Sequence, residues 1–234
     1  MSADEAVAEV PSGGQGRAGH LLEWAARGLI VAVFTALAVL NLGGIYHFAP
    51  IDNLEKILAV AARLANFMFL ILVAATALTR LSPMMKAKGI EPRLSALLGT
   101  FLCMALALLP KADLGPVLSI ISTMLMMIGA VLSFIVLRWL GKSFSILAEA
   151  RRLVTTGPYK VVRHPLYLCE GIALLGLALQ VMSPLAVVGV LAIAAIQFRR
   201  MINEEAVLNS AFSEYLEYAE RTPRVIPRLL AGFF

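Results

Sequence analysis

The chain has 234 residues, of which 60% are hydrophobic and 15% charged, with a formal net charge of +5. A soluble globular domain averages roughly 45–50% apolar and about 25% charged residues. The composition therefore excludes a disordered chain, a basic nucleic-acid-binding domain and a disulfide-rich secreted module, and it indicates a protein whose solvent is mostly lipid. The two cysteines, Cys103 and Cys169, lie in apolar stretches and indicate neither a disulfide framework nor a metal cluster.

Residues 1–20 are small, polar and rich in glycine, and they predict a disordered leader. The leader lacks the basic start and short apolar core of a secretory signal. Within it, Gly14–Gly19 matches the pattern G-x-G-x-x-G, which binds a dinucleotide when it lies between a strand and a helix. Because no strand precedes this motif and a long apolar run follows, we interpret it as part of the leader.

Six apolar stretches follow the leader, and a bilayer core of about 30 Å needs roughly 20 helical residues. The stretches are 24–46, 55–79, 95–110, 114–139, 166–182 and 184–200. The last two are separated only by Ser183-Pro184 and give about 25 Å of helix each, which predicts a helical hairpin and leaves a five-span arrangement open. The predicted fold is all-α: a polytopic transmembrane helical bundle of five or six spans with a C-terminal cytoplasmic amphipathic helix.

The basic residues predict the orientation of these spans. Of the 20 Lys and Arg residues, all but Lys56, Arg63 and Lys111 lie in the head, in 80–94, in 138–165 or in the tail from 199. Six spans bring these segments to one face, which the positive-inside rule places in the cytoplasm. We therefore expect a multi-pass protein of a bacterial inner membrane with both termini on the cytoplasmic side. Arg63 lies inside a span, and the pattern gives it no role.

Polar residues with chemical potential are concentrated after residue 138. We accordingly divide the chain into the leader 1–20, scaffold helices over 21–137 and a functional region over 138–234. In that region Gly157-Pro158 predicts a turn, and Pro165 suits the first position of a helix. Arg163 and His164 would then lie at the start of the fifth span. Such a helix start favours an anion, and the two side chains add charge-assisted donors.

Side chains further along also share helix faces. Tyr167 and Glu170 are three residues apart at the start of the fifth span. Arg200 and Glu204 are four apart, followed by Glu205, in a stretch over Arg199–Arg228 that predicts an amphipathic helix on the membrane surface.

Together the two polar stretches resemble the membrane methyltransferases of the isoprenylcysteine carboxyl methyltransferase family, whose relatives include the phospholipid N-methyltransferases. The resemblance covers roughly 138–228. Its markers are Gly157-Pro158-Tyr159, Val162-Arg163-His164-Pro165-x-Tyr167, Glu204-Glu205, Tyr215-x-x-Tyr218 and Arg221-Thr222-Pro223. The sequence departs from the family's pattern at Ile202, at Ser213 and over Leu168-Cys169-Glu170.

The resemblance implies an S-adenosylmethionine-dependent enzyme that holds its cofactor on the cytoplasmic side and takes a lipophilic or prenylated acceptor from the lipid. The cofactor-binding residues that it implies are Tyr159, Arg163, His164, Pro165, Tyr167, Glu204 and Glu205. Arg200 and Glu204 are the expected catalytic residues, and Arg200 and Glu170 are expected to bind the acceptor. The expected partners are the cofactor, the acceptor and membrane lipids; no metal and no nucleic acid is implied.

The nature of the acceptor stays open at this stage: a lipophilic carboxylate, thiol or amine is compatible with the sequence. Arg200 suits a carboxylate, whereas Glu204 or Glu205 suits an amine that must lose a proton. The alternatives are a phospholipid amine N-methyltransferase and a non-enzymatic transporter or scaffold. A transporter is expected to show broken helices in matching halves, and Ser183-Pro184 has no counterpart. The same side chains also have structural explanations as basic anchors, helix caps, interfacial aromatics or surface ion pairs.

Overall fold

A computed structural model describes residues 17–227, and nearly all of its regular structure is helical. The described part contains seven α-helices: α1 Arg17–Gly43, α2 Leu54–Thr79, α3 Glu91–Ala107, α4 Pro116–Leu140, α5 Pro165–Val181, α6 Pro184–Ala211 and α7 Tyr215–Arg221. Two short strands, β1 (Met85–Lys86) and β2 (Glu149–Ala150), form an antiparallel pair, and 3-10 turns cover Gly44–Phe48, Gly141–Ser143 and Gly157–Lys160.

Within residues 17–227, four helical segments are long and apolar enough to cross a membrane. They are Glu23–Phe48, Leu54–Thr79, Pro116–Ser143 and Pro184–Ala211. The helices α3 and α5 have only 17 residues each and are therefore not counted among these four segments. The predicted all-α membrane bundle is therefore confirmed. Of the predicted leader 1–20, residues 1–16 lie outside the described part, and α1 begins at Arg17.

The helix starts follow from local chemistry. Four helices carry proline at the first or second position, where no intrahelical N–H is lost: Pro92 in α3, Pro116 in α4, Pro165 in α5 and Pro184 in α6. The side chain of Ser183 also accepts a hydrogen bond from the Ala186 amide at 3.1 Å and caps α6. The helix start predicted at Pro165 is confirmed.

The sixth helix is longer than the sequence predicted. The predicted span 184–200 and the beginning of the predicted amphipathic helix are one continuous helix, α6, which runs to Ala211. The separate C-terminal helix is α7, which begins only at Tyr215. The change from apolar to polar residues near Arg199 marks a change of environment along one helix and not a helix boundary.

The helices α4 and α5 pack closely because each carries a glycine at the contact. A Cβ atom on Gly129 of α4 would lie 2.7 Å from the Ala173 Cβ, and one on Gly176 of α5 would lie 2.6 Å from the carbonyl oxygen of Ser122. Small residues allow such approach between helices in a membrane. While α5 lies mainly against α4, α6 lies mainly against α3, so the two members of the predicted hairpin have different principal neighbours.

One end of the bundle gathers the termini that carry most basic residues. We call it the basic end, and it contains the C-termini of α2 and α4, the N-termini of α3 and α5, and residues 199–211 of α6. The Leu81 amide donates to the Lys142 carbonyl at 2.9 Å, which joins the segments after α2 and α4. On α3, the Glu91 carboxylate accepts from Arg199 Nε at 2.9 Å and Asn203 Nδ2 at 3.1 Å. The polar part of α6 is thus fixed against the rest of the basic end.

Candidate active site at the basic end

The segment before α5 is paired with the chain that follows α7. The Arg163 amide donates to the Pro223 carbonyl at 2.8 Å, and the His164 amide donates to the Arg224 carbonyl at 3.0 Å. This pairing leaves His164 at the N-cap position of α5 and directs the chain after α7 across the start of that helix. The two motifs identified in the sequence therefore meet in space.

Glu205 of α6 is the centre of the polar network. Its Oε1 accepts from Arg224 Nε at 2.9 Å and lies 3.0 Å from His164 Nε2, while its Oε2 accepts from Arg224 Nη2 at 2.7 Å and lies 3.2 Å from Arg163 Nη1. Arg224 therefore binds the carboxylate in a bidentate manner through Nε and Nη2, a strong geometry for an arginine–carboxylate pair. Both oxygens of buried Glu205 are engaged by these three side chains.

Glu204, the preceding residue, has a different environment. Its Oε1 accepts a short hydrogen bond from the Tyr167 hydroxyl, and its Oε2 lies 3.7 Å from His164 Nδ1. The Glu204 side chain is 26% exposed, against 11% for that of Glu205. Adjacent carboxylates on α6 thus separate into one that binds protein cations and one that can face a ligand.

A second line of contacts runs from Arg200 through Gln197, both on α6, to Glu170 on α5. The buried guanidinium of Arg200 lies over the Tyr167 ring, with Cζ 5.1 Å from the ring centroid, and Nη1 donates to Gln197 Oε1 at 2.8 Å. Gln197 Nε2 in turn donates to Glu170 Oε2 at 2.9 Å. On α3, Gly99 leaves room for this arginine, since a Cβ there would lie 2.7 Å from the Arg200 Cδ.

The tyrosines close to the network differ in role. Tyr159 packs against Val136 and Cys169, and its carbonyl accepts from the Tyr218 hydroxyl at 2.7 Å. Burial raises the pKa of Tyr215 to about 12, and it also raises the pKa values of Tyr159 and Tyr218. All three phenols are therefore neutral at physiological pH. The Tyr215 hydroxyl lies 3.5 Å from Arg163 Nη1 and borders the network from the side of α7.

The structure brings most of the residues singled out from sequence into one site. Direct contacts link five of them: Arg163, His164, Tyr167, Glu204 and Glu205. Arg200 and Glu170 adjoin this group, and Pro165 starts the helix α5. Tyr159 instead lies in an apolar cluster beside the site. Sequence reasoning missed Arg224 and Gln197. Gln197 lies one turn before Arg200, which could have indicated a shared face; no local pattern pointed to Arg224.

Two observations test whether these residues fit a methyl donor with a carboxylate and an ammonium group. The buried Nε of Arg163, at the start of α5, has no hydrogen-bond partner among residues 17–227, so this helix start retains an unused donor. The Glu204 carboxylate is partly exposed, and its Oε2 lies 3.7 Å from Nδ1 of His164, the residue after Arg163. A cationic donor for a carboxylate and an anionic acceptor for an ammonium group are thus supplied on either side of His164, so the residues fit this ligand.

Fold and site together define a helical membrane protein with a polar site at one end of its bundle. Residues 117–215 match the profile of the phospholipid methyltransferase family. This match confirms the resemblance seen in the motifs: residues 117–215 are similar to the phospholipid methyltransferases, membrane enzymes related to the isoprenylcysteine carboxyl methyltransferases.

Two curated relatives are similar to part of the chain. The cobalt-zinc-cadmium resistance protein CzcN of Cupriavidus metallidurans is 51% identical over 79 residues, which cover 33% of this chain and 36% of that protein. The nickel-cobalt-cadmium resistance protein NccN of Alcaligenes xylosoxydans is 40% identical over 83 residues, which cover 35% of this chain and 38% of that protein. The matches thus span little more than a third of either relative.

Proposed function

We propose that this protein is an integral membrane methyltransferase that uses S-adenosylmethionine to methylate a lipophilic acceptor. One observation carries the proposal: the network around Glu205 brings Arg163 and His164 beside Glu204 and Tyr167, at the end of the bundle where α6 leaves its apolar part. The family match supports the reaction class.

The donor site that we propose lies between the start of α5 and the polar part of α6. Arg163 and the N-terminus of α5 bind the carboxylate of the donor, and Glu204 binds its ammonium group. Glu205 is a positioning residue in this proposal, because its oxygens already accept from Arg224 and face His164 and Arg163. S-adenosylmethionine, when bound, supplies a methyl group already activated by its sulfonium.

Because the donor is activated, the protein must align the acceptor and exclude water. Arg200 is suited to aligning the acceptor, since its guanidinium is held over Tyr167, is fixed by Gln197 and keeps a buried Nε without a partner among the described residues. A planar guanidinium orients a carboxylate, so we propose a carboxylate acceptor that Arg200 holds and Glu170, through Gln197, helps to position. The apolar surfaces of α3 and α5 next to Arg200 exclude water.

The family description favours a second acceptor, a phospholipid amine. An amine must lose a proton before or during its methylation, and Glu204 is the partly exposed carboxylate that can accept it. In this alternative Arg200 neutralises the lipid phosphate. The carboxylate and amine proposals use the same donor site and differ in the acceptor, in the roles of Arg200 and Glu204, and in the chemistry of the product.

We further propose that the basic end faces the cytoplasm of a bacterial inner membrane. The supporting observation is that the segments richest in Lys and Arg, including the loop after α2 and the segment between α4 and α5, lie at this end. Labelling of an exposed Arg152→Cys variant with a membrane-impermeant thiol reagent, in spheroplasts and in inverted vesicles, tests the orientation.

Calorimetric titration of the detergent-solubilised protein with S-adenosylmethionine tests the donor site. We expect saturable binding that is weakened at least about tenfold, or roughly 1.4 kcal/mol, in Glu204→Gln and Arg163→Gln. The matched control is Glu217→Gln, which removes an exposed carboxylate of α7. Absence of binding to the folded wild-type protein contradicts the proposal, as does equal affinity in all variants.

Transfer of a labelled methyl group into a membrane lipid extract and into small prenylated acceptors identifies the product. A methyl ester releases labelled methanol in mild alkali, whereas an N-methyl or S-methyl product retains its label. We expect the alkali-labile product. A stable N-methyl lipid instead supports the amine alternative, and no incorporation from a bound donor contradicts a methyltransferase activity.

The names of the two curated relatives favour a physiological proposal: the methylation takes place in cells that resist toxic metals. Expression of the chain in a bacterium sensitive to cobalt, zinc and cadmium tests it. We expect growth at higher metal concentration with the wild-type chain and not with a folded Glu204→Gln variant. Equal growth of both strains contradicts this role and leaves the methyl-transfer proposal to its own assay.

A further inference from the structure

A second cluster of charged side chains lies at the basic end, on elements separate from the Glu205 network. We call it the arginine cluster; it consists of Glu23, Arg27, Arg80, Lys86, Glu149 and Arg151. Arg27 on α1 pairs with Glu23 at 2.7 Å and donates to the Leu78 carbonyl of α2 at 3.4 Å. Glu149 on β2 lies 2.5 Å from Arg151 Nη2 and 3.8 Å from Lys86 Nζ of β1.

Three arginines of this cluster are buried without enough partners: Arg27, whose Nε has no hydrogen-bond partner among the described residues, and the pair Arg80 and Arg151. Arg80 is 9% exposed and Arg151 is 4% exposed. Four further buried atoms have no hydrogen-bond partner among residues 17–227: Arg80 Nε, Arg151 Nε, Arg151 Nη1 and the hydroxyl of Ser143. Ser143 lies close to Arg80, because the amide of Leu81, the next residue after Arg80, donates a hydrogen bond to the carbonyl of Lys142. Buried polar groups are nearly always hydrogen-bonded, so these four atoms require a partner that the described chain does not supply.

The charge of the cluster shows which kind of partner is needed. Four cations face two carboxylates, Glu23 and Glu149, so the cluster is positive. Burial and the neighbouring charge of Arg151 lower the pKa of Arg80, and the carboxylates of Glu149 and Glu23 offset this lowering only in part. A ligand with a net negative charge and several oxygen acceptors satisfies both the free donors and the charge.

The position of the cluster identifies the source of that ligand. Arg80 directly follows Thr79, the last residue of membrane-spanning α2, and Glu23 is the first residue of the candidate span that continues from α1 to Phe48. The cluster therefore lies at the depth of the lipid headgroups. Guanidinium groups bind phosphate oxygens in pairs, and basic pockets between helices bind anionic headgroups.

We propose that Arg80, Arg151 and Ser143 form a binding site for the phosphate of an anionic membrane lipid. The headgroup phosphate accepts from the unpaired guanidinium nitrogens and from the Ser143 hydroxyl, and its charge balances the cluster. A zwitterionic headgroup is a poorer ligand because its ammonium group cancels that charge. The site shares no residue with the proposed methyl-donor site and does not depend on the proposed function.

Native mass spectrometry of the full chain released from detergent tests the site, with dioleoylphosphatidylglycerol as the probe and dioleoylphosphatidylcholine as the zwitterionic comparison. We expect phosphatidylglycerol to bind at least about tenfold more tightly than phosphatidylcholine, and Arg80→Gln and Arg151→Gln to lose about tenfold in its affinity. The matched control is Arg152→Gln, which removes an exposed positive charge from the next position and is expected to bind like the wild type.

Arg151 also holds Glu149, so its variant can affect folding; Arg80→Gln and Ser143→Ala break no hydrogen bond that the structure shows and keep the test valid. Equal affinity of Arg80→Gln and the wild type overturns the site, and equal losses in Arg80→Gln and Arg152→Gln overturn it in favour of general charge attraction. Inorganic phosphate is the second probe. If it binds as tightly as the lipid, the lipid assignment is overturned in favour of free phosphate.

Discussion

His164 and Glu205 are 41 positions apart in the chain, yet His164 Nε2 lies 3.0 Å from Glu205 Oε1 in the buried centre of the site. The histidine caps α5, and the glutamate lies on α6. Their contact therefore sets the distance between two helices where the donor is proposed to bind.

The Glu205→Gln variant tests how strongly this centre depends on charge. Glutamine keeps the size of the side chain but leaves Arg163 and Arg224 without their buried counter-charge. We expect the free energy of unfolding in detergent to fall by about 3 kcal/mol, the cost typical of breaking a buried ion pair. The control Glu217→Gln removes one partner of an exposed pair and should change it by less than about 0.5 kcal/mol. A change of equal size in both variants contradicts the central role of Glu205.

The Arg200→Lys variant separates the charge of this residue from its planar shape. Lysine keeps the charge but cannot lie over Tyr167 and bond both Gln197 and the Ile146 carbonyl. We expect the KM for a carboxylate acceptor to rise about tenfold, or roughly 1.4 kcal/mol, while the Kd for S-adenosylmethionine is unchanged.

The matched control for Arg200 is its neighbour. Arg199→Lys alters an exposed arginine that pairs with Glu91 of α3, and kinetics like those of the wild type are expected. If the Arg200 variant weakens donor binding and leaves the acceptor KM alone, Arg200 belongs to the donor site instead.

The Gly176→Ala variant tests the close contact between α4 and α5. Its Cβ would lie 2.6 Å from the Ser122 carbonyl oxygen and 2.9 Å from the Met126 amide nitrogen, so the helices must move apart. We expect a loss of about 1–3 kcal/mol in the free energy of unfolding. Gly171→Ala, on the same helix, meets no atom within 4 Å and should be neutral or stabilising by up to about 1 kcal/mol. The measurement is the melting temperature of each variant in detergent. Similar melting temperatures for Gly176→Ala and Gly171→Ala contradict the close packing of α4 and α5.

The raised pKa of Tyr215 predicts a loss of stability in alkali. Burial favours its neutral phenol, raising the pKa to about 12, whereas an unfolded tyrosine titrates near 10. The folded state therefore binds the proton more tightly, and the resulting stability is complete below about pH 10 and lost as the pH rises towards 12. In Tyr215→Phe the decline of unfolding free energy over this interval should be less steep. An unchanged slope shows that Tyr215 is not buried in this way.

Much of the site was predictable because its residues lie at helix starts and at helical spacing. Pro165 indicated the start of α5 and thereby placed Arg163 and His164, and four-residue spacing placed Arg200 beside Glu204. The apolar runs predicted the bundle itself, which the structure confirms. These inferences needed only local sequence.

Other features depend on contacts that local sequence does not encode. The end of α6 was misplaced because polar residues after Arg199 suggest a new amphipathic helix, whereas Glu91 of α3 holds them in the same helix. Arg224 was missed because it binds Glu205 from a segment after Pro223, where no periodicity applies. The different carboxylate roles of Glu204 and Glu205 likewise follow only from which side chains surround each.

The Arg224–Glu205 contact also bears on the biogenesis of the protein. A chain is synthesised from its N-terminus, so every helix from α1 to α7 leaves the ribosome before Arg224 does. The buried carboxylate of Glu205 lacks its bidentate partner until then. The polar centre of the site therefore cannot be completed until the segment that follows α7 has been synthesised.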